Sequence, residues 1–148
     1  MMTLEHTVTI AAPVDPVWRA LLDPQRVAPC FPGATLTSAD GNEFAGTVKV
    51  RLGPISLQYN GSGRFTETDD QAHRAVIDAS GSASGGQGTA AASVVATLSE
   101  GGGGTAVVVA TQLTITGKPA QFGRGMLEDV GKQMIGQFAD NLAAKLGA

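Results

Sequence analysis

Polar and apolar side chains alternate along residues 3–11, with Leu4, His6, Val8 and Ile10 on one face and Glu5, Thr7 and Thr9 on the other. That period of two predicts a half-buried strand with His6 facing inward. The spacing then changes: Val14, Val17, Trp18, Leu21 and Leu22 recur at helical steps behind Pro13, with Asp15 in the first turn. A short helix is predicted there, with Trp18 in the core, and Asp23-Pro24 ends it and caps a second short piece. Alternation returns over residues 36–117, interrupted by turn chemistry at Asp40-Gly41-Asn42, Gly53-Pro54, Asp69-Asp70, Gly85-Gly86 and the run from Gly101 through Gly104. Six antiparallel strands in succession are expected, with no helix among them. Over residues 119–148, Phe122, Met126, Leu127, Val130, Met134, Ile135, Phe138, Leu142 and Leu146 recur at three- and four-residue steps. They predict one long amphipathic helix with Pro119 in its first turn. At roughly 1.5–3 kcal/mol for each large apolar side chain fully buried, that stripe needs a sheet or a partner to receive it.

Alternation also assigns the inward face of each strand. Phe44, Val48, Val50 and Leu52 lie on one strand and Ile55, Leu57, Tyr59 and Phe65 on the next; Ala90, Ala92, Val94, Ala96 and Leu98 precede Val107, Val109, Leu113 and Ile115. Gly46, Gly61, Gly63, Ala75, Ala79 and Gly81 share these faces, so the sheet can bend strongly and leave space beneath it. The sum is a single α+β domain over residues 1–148. A curved antiparallel sheet of about seven strands wraps the long C-terminal helix, two short helices follow the first strand, and an internal hydrophobic cavity is expected.

The final helix carries Gly123, Gly125, Gly131 and Gly136, each costing about 1 kcal/mol relative to Ala. At 100° per residue Gly123 and Gly131 fall inside the apolar stripe, and Gly125 and Gly136 fall on the polar side. The inward notches admit two readings: close packing of helix on sheet, or room for a bound ligand.

Composition narrows the function. The 148 residues are 43% hydrophobic but 5% aromatic, with much of the apolar share in Ala and Val, so the interior has little bulky filler. A net charge of −3, with ten Lys and Arg scattered singly, gives no stripe for nucleic acid. Cys30 is the sole cysteine, which excludes an internal disulfide, and no secretory signal is visible, so a cytoplasmic location is expected. No apolar run approaches the length of a membrane span, which leaves peripheral attachment open.

Candidate chemistry is sparse. The segment Cys30-Phe31-Pro32-Gly33-Ala34 is a turn. Phe31 within it is either a plug over the core or a lid at a pocket mouth, and Cys30 has no His or second Cys beside it. Each glycine run joins two strands instead of opening a helix, so none is a phosphate cradle. His6 and His73 are the only imidazoles. There is no nucleophile with a base and no cluster at metal spacing, so no catalytic residue and no metal ligand is assigned. A lone inward His such as His6 is more often a hydrogen-bonded core residue than a ligand or a base.

The chain resembles a known family at four segments: Pro13-Val14-Asp15-Pro16-Val17-Trp18, Phe31-Pro32-Gly33-Ala34, the hairpin Val48-Lys49-Val50-Arg51-Leu52-Gly53-Pro54-Ile55, and Gly117-Lys118-Pro119-Ala120-Gln121-Phe122-Gly123. They look like the signature segments of the CoxG subunit of carbon monoxide dehydrogenase, within the START-like (SRPBCC) helix-grip superfamily. The resemblance covers nearly the whole chain. It implies a non-catalytic accessory protein that associates a molybdenum CO dehydrogenase, or a related soluble oxidoreductase, with the inner face of the cytoplasmic membrane.

An apolar cavity beside an oxidoreductase suggests a hydrophobic cargo, a lipid or a respiratory quinone such as menaquinone or ubiquinone, with no metal or covalent cofactor. The candidate ligand-binding residues are Phe31, Phe44, Val48, Val50, Leu57, Tyr59, Phe65, Val94 and Leu113 from the sheet side. From the helix side they are Phe122, Met126, Leu127, Val130, Gly131, Met134 and Phe138. Phe31, Pro32, Leu52, Gly53, Pro54 and Ile55 are expected to form an apolar rim that touches the bilayer or the partner enzyme. Two other functions are set against this one: a cyclase- or hydrolase-like enzyme using His6 or Tyr59 as acid or base, and a purely structural membrane tether.

Overall fold

The computed structural model describes residues 2–52 and 54–146. Gly53 and the side chain of Leu52, both expected at the rim, lie outside what is described. The first strand, β1, is Met2–Ile10, and its inward positions Leu4 and Ile10 are buried as the alternation requires. Helix α1, Val14–Leu21, then buries Val14, Val17, Trp18 and Ala20 on one face. Asp23 opens the next helix, α2 (Pro24–Val27), by accepting a 3.1 Å bond from the Gln25 amide, the usual service of an Asp N-cap. A 3-10 turn over Ala28–Cys30 leads into the Phe31–Ala34 turn, where Gly33 takes φ +79° and the Ala34 amide donates to the Phe31 carbonyl.

The six remaining strands are β2 (Ala34–Asp40), β3 (Glu43–Leu52), β4 (Ile55–Asp69), β5 (Arg74–Ala83), β6 (Thr89–Gly101) and β7 (Gly104–Ile115). Each lies between turns read from the sequence. They form a meander, and β1 returns to pair with β7, giving one antiparallel sheet of seven strands in the order β1-β7-β6-β5-β4-β3-β2. Bulges interrupt the ladder at Leu36/Ser38 and at Phe65/Glu67, where extra twist is expected. The Thr105 hydroxyl, fully buried, donates to the Ala12 carbonyl at 2.7 Å and fastens β7 to the entry of α1.

The last helix differs from expectation at its start. Lys118–Phe122 is a 3-10 segment, and α3 runs Gly123–Lys145. Gly123 has φ +79° and open space where a Cβ would stand, so it is the joint between the two segments and not an inward notch. Met126, also expected inward, is 36% exposed because it lies about 140° around the helix from Gly131. Leu127, Ala139 and Leu142 are the buried positions of α3; Ala139 lay outside the predicted stripe. The helix packs chiefly along β1, where Arg124 Nη2 donates to the Thr3 carbonyl at 3.0 Å, and touches β3 more lightly. Gly125 and Gly136 face open space on the polar side, as predicted.

Candidate functional site

The register of the sheet fixes what lies under α3. Gly46 pairs with Gly61, Gly61 with Gly81, and Gly81 with Ala90, so one row across β3, β4, β5 and β6 has almost no side chain. The adjacent row is Phe44, Gly63, Ala79, Ala92 and Leu113. A Cβ on Gly46 or Gly61 would run into the backbone of the neighbouring strand, and one on Gly63 would stand 2.7 Å from the Phe44 ring. These glycines allow the strands to coil tightly, and the coiling makes the inner face concave.

Apolar packing gathers at the two ends of this face. One cluster joins Ile10, Val17, Trp18, Cys30, Phe65, Leu98, Val107, Ala139 and Leu142, with Phe44, Ile77 and Phe138 against it. The other, smaller cluster joins Leu57, Ala83 and Leu127, with Met2, Val50, Ile55, Tyr59, Ile115, Phe122 and Val130 against it. Between them Val48, Gly61, Ala79, Ala92, Val94, Leu113, Gly131 and Met134 belong to neither cluster and stay partly exposed on the inner faces of sheet and helix. Apart from the buried Leu4, the stretch between the two clusters is thus a belt of small and half-buried residues. That belt is the candidate site.

Of the residues expected to line a cargo site, Val48, Val94, Leu113 and Met134 lie in the belt, and Phe44, Phe65 and Phe138 form one wall; Gly131 is in the belt too, but its notch is taken up by the His6 ring and is not room for a ligand. Val50, Leu57, Tyr59, Phe122, Leu127 and Val130 form the other. Phe31 stacks on Phe138 with ring centroids 5.4 Å apart, which fixes the turn against the helix. The same turn is held to β3, since the Lys49 amide donates to the Gly33 carbonyl at 2.9 Å, and Asn141 Nδ2 donates to the Cys30 carbonyl at 2.9 Å. The rim residues share the β3 side of the molecule but not one spot. Phe31 belongs with the first wall, Ile55 is half-buried in the second, and Pro54 is exposed.

Polar groups reach the inner face at few points. Burial pushes the Tyr59 phenol above its ordinary value of 10.0, so it stays neutral and is no base at physiological pH. Nε2 of His6 lies 3.3 Å from the carbonyl oxygen of Glu128 on α3, and Nδ1 of the same ring is buried with no partner among the described residues. His6 and Tyr59 stand on β1 and β4, which are separated in the sheet by three strands. Cys30 is buried, its thiol directed at the Arg26 carbonyl at 3.7 Å.

Two features escaped sequence reasoning. Trp18 Nε1 donates to Asp70 Oδ1 at 2.9 Å, and His73, with φ +50°, meets Trp18 edge-on at 5.5 Å between ring centroids. This ties α1 to the β4–β5 turn, which no local pattern could announce. The second is a groove of about 660 Å³ on the outer face of the sheet, lined by Ser38, Ser62, Arg64, Asp78, Ser80 and Gln112 among others. Its lining is mixed, with Ala45, Ala79, Ala91 and Ala92 beside the charged and hydroxyl side chains. Among the described residues no group of His, Cys, Asp or Glu could hold a metal ion, and no helix is long and apolar enough to cross a membrane.

Solved structures share this architecture. A conserved protein from Geobacillus kaustophilus superposes with a TM-score of 0.85 at 19% identity, covering 99% of this chain and 95% of that one. TTHA0849 from Thermus thermophilus gives a TM-score of 0.67 at 14% identity, covering 98% and 97% of the two chains. The Zhui aromatase/cyclase of Streptomyces sp. R1128 gives 0.66 at 18% identity, covering 99% and 94%. At such identities the likeness establishes the helix-grip fold alone. No curated sequence relative matches. The family described as the CoxG subunit of carbon monoxide dehydrogenase matches residues 7–147, nearly the whole chain. This chain belongs to the CoxG family.

Proposed function

We propose that this protein is a non-catalytic accessory of a molybdenum CO dehydrogenase, and that it carries a long apolar molecule, a respiratory quinone in the first place, in the belt between sheet and α3. The observation that carries the reading is the divided core. Gly61, Ala79 and Ala92 put little side chain between the two clusters, so the inner face there offers half-buried apolar surface that a cargo could cover. The family supplies the oxidoreductase partner. Contact with the inner face of the membrane would let the protein collect a membrane-soluble electron acceptor and present it to a water-soluble enzyme. The exposed Pro54 and Met126 are sequence neighbours of Ile55 and Leu127 in the second cluster, and are suited to that contact.

The cyclase-like alternative draws on the Zhui fold and on His6 and Tyr59. It needs polar groups that converge, and these two stand on separated strands with Tyr59 held neutral. A purely structural tether would have no use for a divided core. The test is CO-dependent reduction of quinone in liposomes by the purified dehydrogenase, with and without this protein. The carrier reading expects a faster rate with it; an unchanged rate at saturating protein contradicts it.

A further inference from the structure

Among the described residues, His6 carries the one buried side-chain nitrogen or oxygen without a hydrogen-bond partner, its Nδ1. A carbonyl oxygen can only accept, so the Glu128 contact places the hydrogen on Nε2 and, in the neutral ring, leaves a lone pair on Nδ1. That lone pair is buried and has no partner among the described residues. Buried acceptors are nearly always paired, and an exception calls for a donor that the chain does not supply. Of the threonine hydroxyls on the inner face of β7, Thr105 is taken by Ala12, and Thr111, paired with Leu4 beside His6, makes no bond to Nδ1. His6 belongs to neither apolar cluster, and Gly131 places no side chain over its edge. The ring is also lightly held, since its bond to Glu128 is long and that carbonyl has its own partner one turn further along α3.

The geometry points to Nδ1 of His6 as the acceptor for a hydroxyl on the cargo, so that the belt takes hydroxyl-headed apolar molecules in preference to their carbonyl counterparts. Because Nδ1 is buried as the ring stands, a cargo hydroxyl reaches it only if the imidazole turns about its Cβ–Cγ bond and loosens the Glu128 contact. A carbonyl head brings only another acceptor and leaves Nδ1 unpaired; a hydroxyl head satisfies it. For a quinone carrier this means that the quinol form is held more tightly than the quinone. The inference rests on the carrier reading and adds to it which chemical group is read and by which atom.

The experiment is anaerobic equilibrium dialysis of delipidated protein against decylubiquinol and decylubiquinone, in wild type, His6→Gln and His6→Asn, with thermal melts to confirm folding. Gln keeps an amide donor toward Glu128 but sets no acceptor at the Nδ1 position, whereas Asn sets its Oδ1 there and gives up the Glu128 contact. Wild type should bind the quinol about fivefold more tightly, the worth of one neutral hydrogen bond. His6→Gln should bind the two forms equally, with its quinone affinity within about twofold of wild type, and His6→Asn should keep most of the preference. Equal binding of the two forms by wild type, or a preference that survives in His6→Gln, overturns the role of Nδ1 and leaves the carrier reading standing. Failure of wild type to bind either form removes the carrier reading and this inference with it.

Discussion

His6 fills the notch left by Gly131: a Cβ placed on Gly131 would stand 3.2 Å from Cε1 of the imidazole and 3.6 Å from Nε2. The glycine thus serves a specific packing partner on β1. Gly131→Ala should be close to neutral, because a helix-propensity gain of up to about 1 kcal/mol offsets the few tenths of an ångström by which a lightly held ring must give. Gly131→Leu cannot be absorbed in that way and should destabilise by about 1–2 kcal/mol net, the balance of overpacking against propensity. His6→Ala in the same chain should restore most of that loss by vacating the space. Urea unfolding of the three variants checks this, and a Gly131→Leu protein as stable as wild type would mean that the ring is not seated there.

Much of the fold was legible because each signal was local. Among the described residues, alternation along β3 to β7 agrees with the register, Leu57, Phe65, Leu98 and Val107 being buried as assigned, since a period of two leaves a strand little choice once one face is buried. Pro13 marked the start of α1 by its fixed φ, and Asp23 that of α2 by the capping bond its side chain accepts. The start of α3 was misplaced because Pro119 suits the first turn of a 3-10 segment as well as that of an α-helix, and only backbone angles reveal Gly123 as the joint. Within the candidate site, the rows of Gly and Ala were visible, but the division of the core was not. That depends on register across seven strands and on where α3 lies. The Gly131 notch was visible too, while its occupant, His6, lies 125 positions earlier on β1.

The Trp18–Asp70 bond should be measurable in isolation, because the chain has a single Trp. Asp70→Ala leaves the half-buried indole N–H without its acceptor and should lower stability by about 1 kcal/mol. The near-UV dichroism of Trp18 should change with it. A variant with wild-type stability and an unchanged tryptophan signal would show that the bond contributes nothing.

Tyr59 is the only tyrosine, so the phenolate absorbance of the folded protein reports it alone. Its midpoint should lie above 10.0, since burial disfavours the charged form. A group whose value is raised in the folded state contributes stability that is fully present below its unfolded value and is lost as pH rises through the folded one. Wild type should therefore lose stability above about pH 10, and Tyr59→Phe should lose less over the same range. A midpoint at or below 10.0 would contradict the burial of this side chain in the second cluster.

Pro54 and Met126 are exposed and are sequence neighbours of Ile55 and Leu127 in the second cluster, and charging them should not disturb the core. Pro54→Asp with Met126→Asp should leave the melting temperature within about 2 °C of wild type, as surface changes usually do. It should weaken co-sedimentation with liposomes several-fold. Undiminished liposome binding in the folded double variant would remove these two residues from membrane contact.

The central claim is that the divided core holds a long apolar molecule. Mass spectrometry of organic extracts from protein purified without detergent tests it most directly. The account predicts one class of tailed apolar molecule, a quinone or quinol in the first place, recovered at near one equivalent per chain. Extracts that contain no such molecule, from protein expressed in cells rich in quinone, would contradict it.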